Sequence, residues 1–233
     1  MSDSSNLFAY PTTNSWDESV FQLTVPGIIA VIVVIGILIA LALFFYKKDS
    51  GSTQKASLTK QLTFSGAAMA LGLITSELLP TFRLPMGGSA TLFSMLFIVL
   101  IGYLFGLKAG ITSALAYGML QFVIDPVFYS IPQMIVDYPL AFGALGLAGI
   151  FANKKHGLIW GYITGVIGRY IFAVISGVIF FAHYAPEGTP ALVYSLGYNA
   201  TYLVPEAVIT LILLAIPPVY KGIGQIKKMV AAV

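Results

Sequence analysis

Four ionisable side chains stand inside otherwise apolar stretches of this chain: Glu77, Asp137, Arg169 and Glu206. In hydrocarbon each such group costs at least ~2.5 kcal/mol, so it faces a protein interior or a cavity and marks a place where function is expected. The second half of the chain, around Asp137 and after it, is rich in aromatic residues: Phe128, Tyr129, Tyr138, Phe180, Phe181, Tyr184, Tyr194, Tyr198 and Tyr202. An interfacial belt accounts for part of that supply, but a belt needs no carboxylate among its rings. A carboxylate within an aromatic box holds an organic cation, through ring quadrupoles and a counter-charge. At ~100° per residue, Tyr170, Gly177 and Phe181 fall within ~40° of one another on one helix face, two rings about a glycine gap. Gly177 suits close helix packing equally well. The residues alone thus point to a pocket for a small cationic aromatic solute. Arg169 reads as structural, because a guanidinium would repel such a ligand.

Other chemistries lack their residues. No Walker A sequence, metal-ligand spacing or nucleophile beside a histidine occurs. The absence of cysteine excludes disulfides and thiolate sites. His156 and His183 lie in predicted loops and read as solvated, and Gly87-Gly88-Ser89 is too short for a phosphate loop. The expectation is a protein that is no enzyme, with no cofactor and no metal. Transport against a gradient would need energy from another chain or from ion coupling. Glu77, Asp137 and Glu206 are available acids for the latter, although no inverted repeat of the secondary-carrier kind is visible.

The elements that must position these residues are membrane helices. Hydrophobic residues make up 58% of the 233 and charged residues 9%, against roughly 25% charged in a soluble domain. A helix needs ~20 apolar residues to cross the hydrocarbon core. On that measure the spans are Gly27–Tyr46, 62–80, Leu84–Leu107, Ala109–Ile124, 132–153, 157–181 and 198–220. Lys108, flanked by Gly106 and Gly110, marks a tight turn between two of them. The fold class is an all-α membrane protein. Its divisions are a polar tail (1–25), an extra N-terminal transmembrane helix (26–46), a cytoplasmic linker (47–60), one membrane domain (61–222) and a cytoplasmic tail (223–233). With the first span exiting into the cytoplasm, every lysine lies inside and only Arg83 outside. The positive-inside rule then puts the N-terminus outside and the C-terminus in the cytoplasm of a bacterial cell membrane. The net charge of +3 calls for no nucleic acid.

Several blocks, in order, carry a family resemblance: Pro85-Met86-Gly87-Gly88-Ser89, then Asp137-Tyr138 with Ala141-Phe142-Gly143-Ala144-Leu145-Gly146. Arg169-Tyr170 and Ser176-Gly177-Val178-Ile179-Phe180-Phe181 follow, and then Gly188-Thr189-Pro190 through Tyr194-Ser195-Leu196 to Tyr198-Asn199-Ala200-Thr201-Tyr202. Residues 61 to 220 thereby resemble the thiamine-specific S component of energy-coupling factor (ECF) transporters. The resemblance implies a six-transmembrane-helix core that binds thiamine in its outer half. It also implies partnership with an ECF transmembrane coupling subunit and two cytoplasmic ATPase subunits. Asp137 stands where the family has a ligand-contacting carboxylate. Tyr138, Tyr170, Gly177, Tyr194 and Asn199 match ligand-contacting positions, and Phe181 stands where a relative has a stacking tryptophan. Ala173 and Pro186 depart from the pattern, standing where a relative offers histidine and tryptophan.

Small residues recur in the first core helix at Gly66 and Ala70, and again at Ala68 and Gly72. Such spacing lets helices approach closely in lipid, and the resemblance implies that the Gly66 and Ala70 face docks on the coupling subunit. The helix Gly27–Tyr46 is additional to the family's six. A stand-alone secondary carrier for a small organic cation remains the alternative, and transport without partners separates the two.

Overall fold

A computed structural model of the chain describes residues 9–13, 19–30, 33, 55–78, 82–84 and 88–231. Most of the expected anchor Gly27–Tyr46 and residues 47–54 of the linker lie outside these described residues. The expected polar tail contains an antiparallel pair, β1 (Ala9–Thr13) with β2 (Ser19–Leu23), in register Tyr10↔Gln22 and Thr12↔Val20. Tyrosine, threonine, valine and phenylalanine suit a pleated ribbon, a signal that the segment's polar composition conceals.

The rest is helical: α1 (Lys55–Leu78), α2 (Ser94–Phe105), α3 (Leu107–Ile124), α4 (Ile131–Phe151), α5 (Gly157–Phe180), α6 (Ala191–Ala215) and α7 (Pro217–Ala231). Among the described residues, α3, α4, α5 and α6 are long and apolar enough to cross a membrane, and α2 is a shorter apolar helix. Their outward faces are greasy. Ile167, Ile171, Ile175 and Ile179 form an exposed stripe along α5, as do Val204, Val208 and Ile212 along α6. Stripes of this size invite association in water and are the natural outer surface in lipid, where helices satisfy their own backbone.

Three predicted boundaries move, each for a backbone reason. The apolar run from Leu84 does not begin a helix, because β3 (Phe82–Arg83) pairs with β4 (Ser89–Ala90) and the Leu84 N–H donates to the Gly88 carbonyl at 2.6 Å. At the other end of the run the turn falls where the glycine spacing places it. Gly106, at φ 87°, ends α2 and starts α3 without a loop. Helix α6 begins at Ala191 rather than near Tyr198. A turn closed by the Thr189 N–H on the Pro186 carbonyl (2.9 Å), with Gly188 at φ 79°, completes the reversal before Pro190. The same helix stops at Ala215, where Ile216 turns extended and Pro217-Pro218 opens α7, proline being best tolerated in a first helical turn. The expected tail 223–233 therefore belongs mostly to α7. That helix is held to the bundle by Lys227, whose Nζ donates to the Ala152 carbonyl and lies 3.9 Å over the Tyr103 ring. Burial pushes the Lys227 ammonium below its ordinary pKa.

Helix α4 is the centrepiece, packed against α2, α3 and α5. Gly146 rests on the backbone of Gly110–Ile111 and Gly149 on that of Gly106–Leu107, where no Cβ would fit. Alternate helices run in opposite directions. The C-terminal ends of α1, α3 and α5 therefore meet the N-terminal ends of α2, α4 and α6 at one end of the bundle, and the cavity opens among them.

Candidate ligand-binding site

The site begins with a proline. Pro139 has no N–H to give its helix, and α4 widens into a π turn over Val136–Leu140. In that turn two consecutive residues, Asp137 and Tyr138, both reach the cavity wall. Ala141 and Phe142 continue the wall below them. Opposite, α5 contributes Arg169, Ala173, Ser176 and Gly177, followed by Phe181, while α6 contributes Tyr194, Ser195, Tyr198, Asn199 and Tyr202. Glu77, Gly88, Thr91, Gln121 and Asp125 complete the rim and floor. The enclosed space open to water is about 140 Å³. One water occupies ~10–15 Å³ by that measure, so a small organic molecule fits. Carboxylates on the wall (Glu77, Asp125 and Asp137) outnumber the one guanidinium, Arg169. The balance favours a cation.

Most of the polar wall residues described here are held by hydrogen bonds. The Asp137 Oδ2 accepts from Gln133 Nε2 at 2.6 Å. Ser176 Oγ faces this carboxylate but falls short of hydrogen-bond geometry, and it is buried without a partner among the described residues. The Tyr138 hydroxyl accepts from the Val127 N–H at 2.7 Å and donates to the Asp125 carbonyl at 3.0 Å. Asn199 Nδ2 donates to the Ser195 carbonyl at 2.9 Å and the Ala173 carbonyl at 3.3 Å, while its Oδ1 accepts from the Tyr202 hydroxyl at 2.5 Å. Tyr198 receives the Gly88 N–H at 3.1 Å. Gly177 is required here by contact: a side chain would collide with Ser195, whose Oγ donates across to the Val174 carbonyl of α5 at 3.0 Å.

Six of the seven residues singled out from the sequence for ligand contact line this cavity: Asp137, Tyr138, Gly177, Phe181, Tyr194 and Asn199. Tyr170 does not. It sits at the edge of the α5 stripe, and its hydroxyl donates to the Leu196 carbonyl at 2.9 Å. Arg169, read from the sequence as structural, is on the wall, its guanidinium carbon 4.0 Å above the Phe142 ring. Glu206 is not among the lining residues. It accepts from Thr91 Oγ1 (2.6 Å), Ser94 Oγ (3.1 Å) and the Met95 N–H (2.9 Å), which makes it the cap of α2. Sequence reasoning passed over Gln133, although its place one turn before Asp137 on one helix was a readable signal. It also missed Ser176, Ser195 and Gln121, polar residues buried in apolar stretches.

The two small-residue pairs of α1 point in different directions. Ala68 is buried and Gly72 lies against the Tyr117 ring, whereas Gly66 and Ala70 are exposed with nothing over Gly66.

A helical bundle with a lipid-suited exterior and a polar, aromatic-walled cavity at one end defines a multi-pass membrane protein built to hold a small solute. The chain belongs to the family described as thiamine transporter protein (Thia_YuaJ), whose model matches residues 62–223. It is 38% identical over 179 residues to the thiamine transporter ThiT of Bacillus subtilis, covering 71% of this chain and 91% of that one. A second relative is the thiamine transporter ThiT of Lacticaseibacillus paracasei, at 34% over 97 residues, which covers 36% of this chain and 48% of that one. In three dimensions the chain is similar to the solved structure of ThiT from Listeria monocytogenes. The TM-score is 0.54 at 25% identity, over 72% of this chain and 97% of that one.

Proposed function

We propose that this protein captures thiamine from outside the cell and is the substrate-binding subunit of an ECF-type uptake transporter. The observation that carries the reading is the cavity itself. One wall presents Asp137, and the facing walls present Phe181, Tyr194, Tyr198 and Tyr202. Thiamine has a cationic thiazolium ring and a flat aminopyrimidine, the two features that an acidic, aromatic-lined cavity recognises. Tyr138, Gly177 and Asn199 shape the same space. In this reading α1 to α6 are the six-helix core and Gly27–Tyr46 is an additional span. The N-terminus and the cavity lie outside, and the lysine-bearing connections lie in the cytoplasm. Energy comes from other chains: a transmembrane coupling subunit and two cytoplasmic ATPases. The exposed Gly66 and Ala70 face of α1 is the docking surface for the coupling subunit, supported by the outward direction of that pair while Ala68 and Gly72 face inward.

The experiment is a thiamine titration of purified protein followed by aromatic fluorescence, paired with uptake into liposomes. The expected result is saturable binding at one site and no accumulation by the protein alone. Accumulation by the protein alone, driven by an ion gradient, would establish a secondary carrier instead. Absence of any saturable thiamine binding would refute the thiamine reading.

A further inference from the structure

Gln133 is completely buried, at 0% exposure, in a part of α4 that does not itself line the cavity. Both amide hydrogens and the amide oxygen are nonetheless engaged, between the cavity's carboxylate and the loop that leads into α4. One amide hydrogen of Nε2 goes to Asp137 Oδ2 at 2.6 Å and the other to the Val127 carbonyl at 3.0 Å. The Oε1 accepts the Tyr129 N–H at 3.0 Å, and the backbone N–H is received by Ser130 Oγ at 3.3 Å. A glutamine amide has two donors and one carbonyl acceptor, so this set fixes which way it points. Turned over, it would set its oxygen against a carboxylate and a carbonyl, and its NH₂ against an N–H. The loop it grips reaches the aromatic side of the cavity. The Tyr129 ring lies 5.1 Å from that of Phe181, edge to face, and its hydroxyl is 3.2 Å from that of Tyr184. The two cavity walls are thus joined through one side chain.

We propose that Gln133 is a positioning residue for ligand recognition: it holds the Asp137 carboxylate in its ligand-facing orientation and acts on the ligand through it. This rests on the reading of Asp137 as a ligand-contacting carboxylate. A carboxylate on two rotatable bonds that was free to turn would have to be ordered again at each binding event, and pre-ordering removes that loss. The short bond from Gln133 occupies one oxygen and leaves the other for the ligand.

The test is a double-mutant cycle, since residues that act through one another give non-additive losses. Thiamine affinity is measured for Gln133→Leu, Asp137→Asn and the double variant, with thermal unfolding of each in the absence of ligand. Gln133→Leu is expected to weaken binding more than tenfold in the native background and less than threefold when Asp137→Asn is already present. An equal loss in both backgrounds marks a packing role and overturns the proposal, as does unchanged affinity in Gln133→Leu. If the leucine variant does not fold, Gln133→Asn serves in the same cycle under the same criteria. It keeps the amide but is one carbon shorter, so it reaches the loop or the carboxylate but not both. Native affinity in Asp137→Asn alone would remove Asp137 from the site and this proposal with it. That outcome is visible in the single variant, apart from any failure of Gln133.

Discussion

Two acids, half-buried Asp137 on α4 and buried Glu206 on α6, divide this molecule into a part that is finished and a part that is waiting. Glu206 accepts three hydrogen bonds from Thr91, Ser94 and Met95. It does so at the start of α2, where Phe93 offers no side-chain cap of its own. The unpaired N–H groups and the positive end of the helix dipole both favour an anion there. Asp137 accepts one hydrogen bond, from Gln133 on its own helix, and fronts a cavity. An ionised carboxylate has about four acceptor sites. One acid has most of its capacity filled by the fold, and the other has most of it left over. Charge in a membrane helix marks importance in both cases, and the count of donors says which kind.

The sharpest way to break this contrast is Glu206→Ala. It leaves the Met95 N–H without its acceptor and the Thr91 and Ser94 hydroxyls, 2.7 Å apart, with only each other, and the expected loss of stability is ~3 kcal/mol or more. Thermal unfolding in detergent should show a large drop in midpoint. A variant that melts normally yet has lost thiamine binding would put Glu206 in the site and erase the distinction. Next in size is Gly177→Ala. The added methyl meets Ser195 Oγ at the α5–α6 contact, and the helices must part at a cost of roughly 2 kcal/mol. Stability and thiamine affinity should fall together, because Asn199 and Phe181 are carried by the same two helices. Loss of affinity with an unchanged melting temperature would mean that the glycine serves the ligand directly.

Asp137→Asn should do the reverse of Glu206→Ala. The asparagine keeps its size and can still meet Gln133, so the melting temperature should move little. Thiamine affinity should fall more than tenfold, which is ~1.4 kcal/mol or more. Equal affinity would leave the cavity without its counter-charge and would sink the comparison from the other side.

The sequence carried these features unevenly. Apolar runs announced membrane helices, and Gly106 announced the turn between α2 and α3. The acid among aromatics was enough to point to a cation pocket. Hydropathy could not reveal that Ser89 and Ala90, within the run after Leu84, pair with Arg83 and Phe82, because strand pairing leaves no mark on apolarity. The role of Glu206 was hidden. The resemblance set Asp137 apart as a ligand-contacting carboxylate, but only the position of α2's first turn beneath Glu206 shows what the second acid does. The resemblance had placed both Asp137 and Tyr138 at the ligand, but the π turn at Pro139 that brings them together was not legible. A uniform 100° wheel assumes that neighbours diverge, whereas the widened turn lets Asp137 and Tyr138 share a wall.

The same wheel, applied to α5, gives the smallest and most diagnostic prediction. It grouped Tyr170 with Gly177 and Phe181, yet the cavity-facing residues of α5 are Arg169, Ala173, Ser176 and Gly177. Tyr170 lies one position past Arg169, about 100° around the helix, and its hydroxyl is engaged with the Leu196 carbonyl of α6. Its contribution in this geometry is to hold α6 against α5. Tyr170→Phe removes that one hydrogen bond and keeps the ring, so stability should fall by ~1 kcal/mol while thiamine affinity changes less than threefold. Unfolding midpoints and titrations of the same preparation measure both. If affinity instead falls tenfold with stability intact, the ligand draws Tyr170 inward on binding. The α5–α6 contact would then rearrange around thiamine, and the aromatic wall would be no more finished than the acidic one.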